Sequence, residues 1–304
     1  MNLAVTAPSG NVGRFLVGHL VRAGVRPRLL SRHPQQARAG WGDLVDAREV
    51  DLRDAAAVTE ATRGVDALYL VVPAEQSDDP VAAYATVGEA VAAAVAANRI
   101  PHTVLQSSMG AELRRGAGEI DGLAHVEQAL DRIAAADTGP AVTHLRCGYF
   151  FSNLLFELDA IRSGAVAVLR PTDEPFSWVA PADIAMVAAS LLLRSGWSGR
   201  RVQGVHGPRD LSWNDALAAV GDVLGRTITA HRVEDDAMRA TLAGYGMSAA
   251  QVEAVMGMST GLREGFVPEQ PRTPETTTDT TLAAWAWAEL RPALHGSDGA
   301  RGTG

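Results

Sequence analysis

The stretch that decides the fold is LAVTAPSGNVGRFLVGHL, residues 3–20. A short apolar run suited to a buried strand meets a turn of small residues, then an apolar pattern at helical spacing. Positions 7, 10 and 13 reproduce a G-x-x-G-x-x-G spacing with Ala7 in the first place. Between a strand and a helix, such a turn offers backbone N–H groups and the positive end of the helix dipole to a pyrophosphate. Gly10 and Gly13 permit close approach of a ligand and tight packing of helix on strand. Ala7 is compatible with this geometry at negative φ, while Pro8 removes one donor. The alternative is a plain strand–turn–helix with no ligand, and the position at the head of a βαβ unit favours the dinucleotide reading.

Working outward, apolar runs of strand type recur at 2–7, 26–31, 47–52, 66–72, 102–108 and 141–146, with helical stretches at 12–24, 54–62, 81–98 and 120–136 between them. This alternation predicts an α/β fold, a Rossmann-like doubly wound parallel sheet. The runs are continuous, as in strands covered on both faces. After residue 148 the alternation breaks into an aromatic segment, GYFFSNLLFEL, and a hairpin-like GAVAVLRPTDEPFSW. A helix opened by Pro181 and Asp183 follows, then a helical region with Ser212 as N-cap and Gly225 as terminator. We expect a cofactor-binding core over 1–147, completed by 177–208, and a smaller, mainly helical substrate lobe from 148–176 and 209–294. PEQPRTPETTTDTT (268–281) reads as a surface connection, followed by a short helix carrying Trp285 and Trp287, with residues 295–304 a disordered tail.

The second strand ends in Ser31-Arg32-His33, where an NAD-selective site carries a carboxylate for the ribose 2′-hydroxyl. An arginine there favours a 2′-phosphate through charge-assisted hydrogen bonds, so NADP(H) is the expected cofactor. Asp51 and Leu52, closing the third strand, sit where an adenine would lie, and Asp51 equally suits a helix cap. The formal net charge of −8 argues against nucleic acid as a partner. The Ala-rich run at 88–98 is short for a membrane span and carries Glu89, so a buried helix is expected. One cysteine, Cys147, and the absence of a signal-type N-terminus point to the cytoplasm. A homodimer is compatible with this reading.

The cradle TAPSGNVG, the Ser-Arg pair, HLRCGYFFSNL (144–154), WVAPADIAMVAASLL (178–192) and GVHGPRDLSWNDALAAVGDVLGRTI (204–228) together resemble the NmrA-like atypical short-chain dehydrogenase/reductases. That group includes NAD(P)H:quinone reductases and redox-sensing regulators. The resemblance covers nearly the whole chain. It implies NADP(H) at the glycine turn and a substrate cleft between core and C-terminal lobe. It further implies Ser9, Gly10, Asn11, Val12 and Gly13 as pyrophosphate contacts and Arg32 as the 2′-phosphate partner. Val72, Pro73 and Ser107 would follow the cofactor toward nicotinamide, with Tyr149 and Phe150 flanking it.

Short-chain reductases of the main type use a Tyr–Lys pair, in which the ammonium lowers the phenol pKa for proton delivery. All 27 basic residues here are arginines, and no tyrosine lies between residues 85 and 148, so that pair is absent. His125 on the 120–136 helix is one replacement donor, or else a surface or satisfied core histidine. Tyr149 is another, with Asn153 one turn on to hold a substrate oxygen, or else it packs between lobes. Ser107 or Ser108 could hydrogen-bond a carbonyl, or cap a turn. Cys147 reads as a buried structural thiol, and the scattered histidines argue against a metal. The expected activity is NADPH-dependent reduction of a small hydrophobic carbonyl, enone or quinone held against Tyr149, Phe151, Asn153 and Trp178. The alternative is a non-catalytic NADP(H) sensor acting through a protein partner.

Overall fold

The computed structural model describes residues 1–74, 77–136, 138–194, 196–263 and 265–296. The predicted runs become strands β1 (Leu3–Thr6), β2 (Arg28–Ser31), β3 (Asp46–Glu49), β4 (Ala67–Leu70), β5 (His102–Ser108) and β6 (Ala141–Cys147). They alternate with helices α1 (Gly13–Arg22), α2 (Pro34–Arg38), α3 (Ala55–Ala61), α4 (Pro80–Asn98) and α5 (Ile120–Ala134). A seventh strand, Arg200–Val205, joins beyond β6, and the order across the sheet is Arg200–Val205, β6, β5, β4, β1, β2, β3. All neighbours run parallel. Val5 of β1 stands between Leu29 and Tyr69, so the chain direction of the winding reverses between β1 and β4. Ligands of open α/β sheets collect at the strand ends of such a switch point.

Side-chain alternation sorts the strands into two cores. Leu3, Val5, Leu29, Tyr69, Val104 and Leu145 pack against α1 and the helix Pro181–Leu193. Ala4, Leu30, Leu68, Leu70, Leu105 and Val142 pack on the opposite face against α3, α4 and α5. Coverage of both faces is why the strands read as continuous apolar runs. Helix α4 is long and apolar enough to cross a membrane, but half of its apolar window is buried within the protein. Its Gly88 meets α5 so closely that a β-carbon there would lie 3.0 Å from the Val126 Cα.

Beyond β6 the chain builds a third core around Phe151, Leu154, Val166, Trp178, Trp213 and Trp285. Tyr149–Phe150 pairs in parallel with Phe176–Val179, which pairs antiparallel with Asp210–Leu211. Ala165–Val168 pairs instead with Thr229–Arg232. The expected hairpin in GAVAVLRPTDEPFSW therefore does not form. Pro171 and Pro175 lie in the connecting stretch, and proline cannot donate to a ladder, so each strand finds a partner elsewhere.

Ser212 and Asp215 form a reciprocal capping box on the helix Trp213–Leu224, and Gly225 ends it at φ +67°. The Pro/Thr-rich segment lies at the surface as expected, with Thr276 its one buried residue, and hydrogen bonds tie it to the core. Asp183 accepts from the Thr280 amide at 3.0 Å and its hydroxyl at 2.6 Å, while the Thr278 amide donates to the His206 carbonyl at 2.7 Å. The helix after it runs as Leu282–Trp285, a π turn over Ala286–Leu290, and Arg291–Gly296. His295 and Gly296, expected to begin a disordered tail, close that last helix, and residues 297–304 lie outside the described residues.

Candidate active site

The cradle forms where β1 hands over to α1, with one departure from expectation. Ala7 adopts φ +45°, the left-handed region, rather than a negative φ. The turn needs that backbone whatever residue stands there, because the Ala7 carbonyl must fold back to accept the Gly10 amide at 3.0 Å. Alanine therefore carries a steric penalty that glycine at the same place avoids. Gly13 is required for a different reason: a β-carbon on it would be driven into the Ala7 carbonyl oxygen and within 2.9 Å of the Pro8 Cα. Helix α1 starts with no side-chain cap from Val12 and no acid in its first turn. Its positive end thus opens onto exposed Ser9, Gly10 and Asn11, the arrangement an anion requires. Val12 is buried under the turn and anchors it.

From the cradle a groove runs across the end of β2 to the end of β3. Ala7, Ser9 and Gly10 line it with Ser31, Arg32, Asp51, Leu52 and Pro73, which brings residues predicted for the pyrophosphate, the 2′-phosphate and the adenine together with one predicted toward the nicotinamide. Pro8 of the turn also lines it, and Leu30, His33, Gln36, Val50 and Val87 add to the walls. Those five carry no signature in the sequence, since they are ordinary residues one step from predicted ones or delivered by α4. The Ser31 hydroxyl accepts the His33 amide at 3.0 Å, a short turn that leaves Arg32 exposed at the rim. The hydrogen bond from the Arg53 side chain, aided by its amide and by the charges of Arg53 and Arg32, holds the Asp51 carboxyl down to about 2. Asp54, not Asp51, caps α3, accepting from Ala56 and Ala57. Arg14, beside the cradle, is engaged by Glu289 at 2.7 Å.

An open helix N-terminus, a glycine with no room for a side chain and an arginine at the end of β2 together fit an NADP-type dinucleotide. The model of NAD(P)H-binding proteins matches residues 8–193. The chain belongs to this NAD(P)H-binding family. It is 32% identical over 271 residues to the (4-alkanoyl-5-oxo-2,5-dihydrofuran-3-yl)methyl phosphate reductase of Streptomyces griseus, covering 88% of this chain and 90% of that protein. It is 24% identical to the NAD(P)H azoreductase of Xenophilus azovorans, covering 83% of this chain and 84% of that one. The NADPH-dependent quinone oxidoreductase of Escherichia coli, solved with NADPH, shares the fold at a TM-score of 0.76 and 23% identity, over 95% of this chain and 99% of that one. The protein is an NAD(P)H-dependent oxidoreductase. That decides between enzyme and sensor in favour of the enzyme.

Toward the other end of the oxidoreductase's site, Val72 is buried in the sheet core and only Pro73 reaches the groove. Ser107 is 2% exposed, and its hydroxyl donates to Glu127 of α5 at 2.6 Å, which turns its proton toward the helix. Glu127 also receives Arg146 through Nε and Nη2, both at 2.7 Å, and Arg114 at 2.8 Å. Arg146 Nη1 reaches Glu112 at 2.8 Å and Glu269 at 3.1 Å, tying the end of β6 to the C-terminal segment. Sequence reading missed this network, although an arginine inside the apolar run AVTHLRC is its signal, because a buried charge requires partners. His125 is exposed on the outer face of α5, two residues from buried Glu127.

Tyr149 follows β6 and stands in an aromatic wall, its ring 4.7 Å from Trp178, 5.7 Å from Phe176 and 5.8 Å from Trp213. Burial pushes its phenol up to about 12, with Glu157 adding to the rise and a hydrogen bond from Asn153 opposing it. The phenol is therefore neutral, and a donor, across the physiological range. Phe150 is half-buried and packs against the core beneath α1. Phe151 and Trp178 are 1% and 0% exposed, so they back the wall from the lobe core and leave Tyr149 and Asn153 in front. Trp178 is fixed there by its indole N–H, which donates to the Leu211 carbonyl at 2.9 Å. Cys147 is fully buried, and burial drives its thiol pKa far up, which leaves it inert.

Proposed function

We propose that this oxidoreductase reduces a small hydrophobic carbonyl, enone or quinone with NADPH. When bound, NADPH supplies the hydride. Ser9, Gly10, Asn11, Val12 and Gly13 hold the pyrophosphate, Arg32 the 2′-phosphate, and Asp51, Leu52 and Val50 the adenine edge. Pro73, Phe150 and the backbone near Val72 shape the nicotinamide end. Residues 1–147 with 177–208 act as the cofactor-binding unit, and the remainder to 294 as the substrate lobe.

The observation that carries this reading is the pairing of Tyr149 with Asn153 on the aromatic wall after β6. With no lysine to acidify it, Tyr149 serves as a neutral hydrogen-bond donor to the substrate oxygen as negative charge builds there. Asn153 orients the phenol. A quinone or conjugated enone suits a donor of this kind, since its reduced anion is delocalised and makes little demand on acid strength. The names of the furanone phosphate reductase and of the E. coli quinone oxidoreductase support that acceptor class. A single buried cysteine without a partner accords with action in the cytoplasm.

The test is NADPH oxidation by the purified protein over a panel of quinones, alkanoyl-butenolides and simple ketones. Turnover is expected with the conjugated acceptors. Tight NADPH binding with no oxidation anywhere in the panel would overturn the proposal.

A further inference from the structure

Arg170 lies beside the aromatic wall that Phe176 and Tyr149 share, in surroundings that ordinary packing does not explain. It is 9% exposed, and a guanidinium is kept at that depth only with good partners. Nη1 donates to the Leu262 carbonyl at 2.7 Å and Nη2 reaches Glu174 at a long 3.2 Å. Its Nε is shut away from solvent with no acceptor. The guanidinium sits 4.6 Å over the Phe176 ring, and Phe176 is the edge-on neighbour of Tyr149 at 5.7 Å. On its other side, Leu262 presses on the turn after β5, where a β-carbon on Gly110 would come within 2.6 Å of its methyl group. Arg170 therefore links the aromatic wall, through Phe176, to the turn after β5, through Leu262.

A second cation stands close. Burial lowers the Arg170 pKa, Glu174 opposes this, and the charge of Arg263 adds to the lowering. Arg263 is held by both carboxylate oxygens of Asp235 and donates to the Leu169 carbonyl at 2.9 Å. Glu174, whose side chain is 34% exposed, is thus the loosely held counter-ion of a buried and incompletely satisfied guanidinium.

We propose that Arg170 binds an anionic substituent of the substrate, a phosphate monoester, which replaces Glu174 against the guanidinium. A phosphate presents several acceptor oxygens to adjacent guanidinium donors, the two-pronged geometry that a single long bond to Glu174 leaves unmet. The proposal rests on reading the aromatic wall around Tyr149 as a reductase's substrate site, and it narrows the substrate to one carrying a charged handle beside an apolar body.

Calorimetric titration of the NADP⁺-saturated full-length protein with an alkanoyl-butenolide methyl phosphate, and with the same compound as its free alcohol, tests it. The phosphate ester should bind about 10- to 100-fold more tightly than the alcohol, the range of a charge-assisted hydrogen bond. Arg170→Gln should abolish that preference while leaving affinity for the alcohol and for NADPH unchanged. Arg170→Lys, which keeps the charge and loses the planar donor pair, should lose most of it, and serves if the glutamine variant does not fold. Glu174→Gln should tighten the ester. Equal binding of ester and alcohol by the wild-type protein, or a preference that survives in the Arg170 variants, would overturn the proposal. An ester preference without NADPH-dependent turnover of any acceptor would instead sink the reductase reading and leave the anion site standing.

Discussion

Glu127 and Arg146 form a two-pronged ion pair in the interior, Oε1 to Nε and Oε2 to Nη2 at 2.7 Å each, with both side chains at 1% exposure or less. It joins α5 to β6, and through Ser107 it reaches β5. Removing one member of such a pair strands the other in a low-dielectric interior. Glu127→Ala should therefore lower unfolding stability by about 3–5 kcal/mol, measured by urea denaturation. The double variant Glu127→Leu with Arg146→Met should recover part of that loss.

The same pair gives a pH signature. Burial alone would raise the Glu127 carboxyl, but the Arg146 hydrogen bond, the charges of His144 and Arg146, and the Ser107 hydroxyl hold it below its ordinary value. A carboxyl with a depressed folded pKa contributes stability that is complete above its unfolded pKa and disappears as pH falls through the folded one. His206 adds to the acid side. Burial lowers its pKa, and its ring links the Ser177 hydroxyl at 2.7 Å to the Gln270 carbonyl at 2.8 Å. A histidine held neutral in the fold gives stability that is full above pH 6.5 and declines below it. Melting temperature should thus begin to fall just below pH 6.5, and a His206→Gln variant should show a flatter profile between that pH and the carboxylate range.

Ala7 is the one position where a single methyl group strains the cofactor turn. At φ +45° a glycine is at ease and an alanine is not. Ala7→Gly should stabilise the protein by about 1 kcal/mol and raise its melting temperature by about 2 °C, with NADPH affinity retained or improved. A drop in melting temperature would show that the methyl group packs usefully under the turn.

Arg32 stands exposed where the 2′-phosphate is expected. Its replacement by alanine should weaken NADPH by about 10- to 100-fold and leave NADH almost unchanged, read by calorimetry on both cofactors. Parallel loss of both would assign Arg32 to the shape of the groove rather than to the phosphate.

Tyr149→Phe keeps the aromatic wall and removes the donor. The turnover number should fall about 100-fold on a ketone or enone and less on a quinone, with the Michaelis constant little changed. Because burial raises the phenol to about 12, the wild-type rate should show no alkaline break from this group below pH 10. A break near neutrality would point to another donor.

Much of this molecule was legible along the chain because it is written in local periodicity. Strand runs, the Gly10 and Gly13 spacing, the Ser212 and Gly225 caps and Arg32 at the end of β2 each depend on neighbours a few residues away, and local sterics and hydrogen bonding dictate them. The Ala7 conformation, the pairing of Ala165–Val168 with Thr229–Arg232, the orientation of Ser107 and the setting of Arg170 were not legible. Each depends on a partner far along the chain: Ser107 on Glu127, Arg170 on Leu262 and Phe176. Long-range partners are chosen by which surfaces must be buried together and which buried charges must be paired. Sequence determined that this is a dinucleotide-binding α/β chain with an arginine at the end of its second strand. Only the tertiary structure decided how each hydroxyl is engaged, because it alone shows that the Ser107 hydroxyl donates to Glu127 while Tyr149 stands in the aromatic wall.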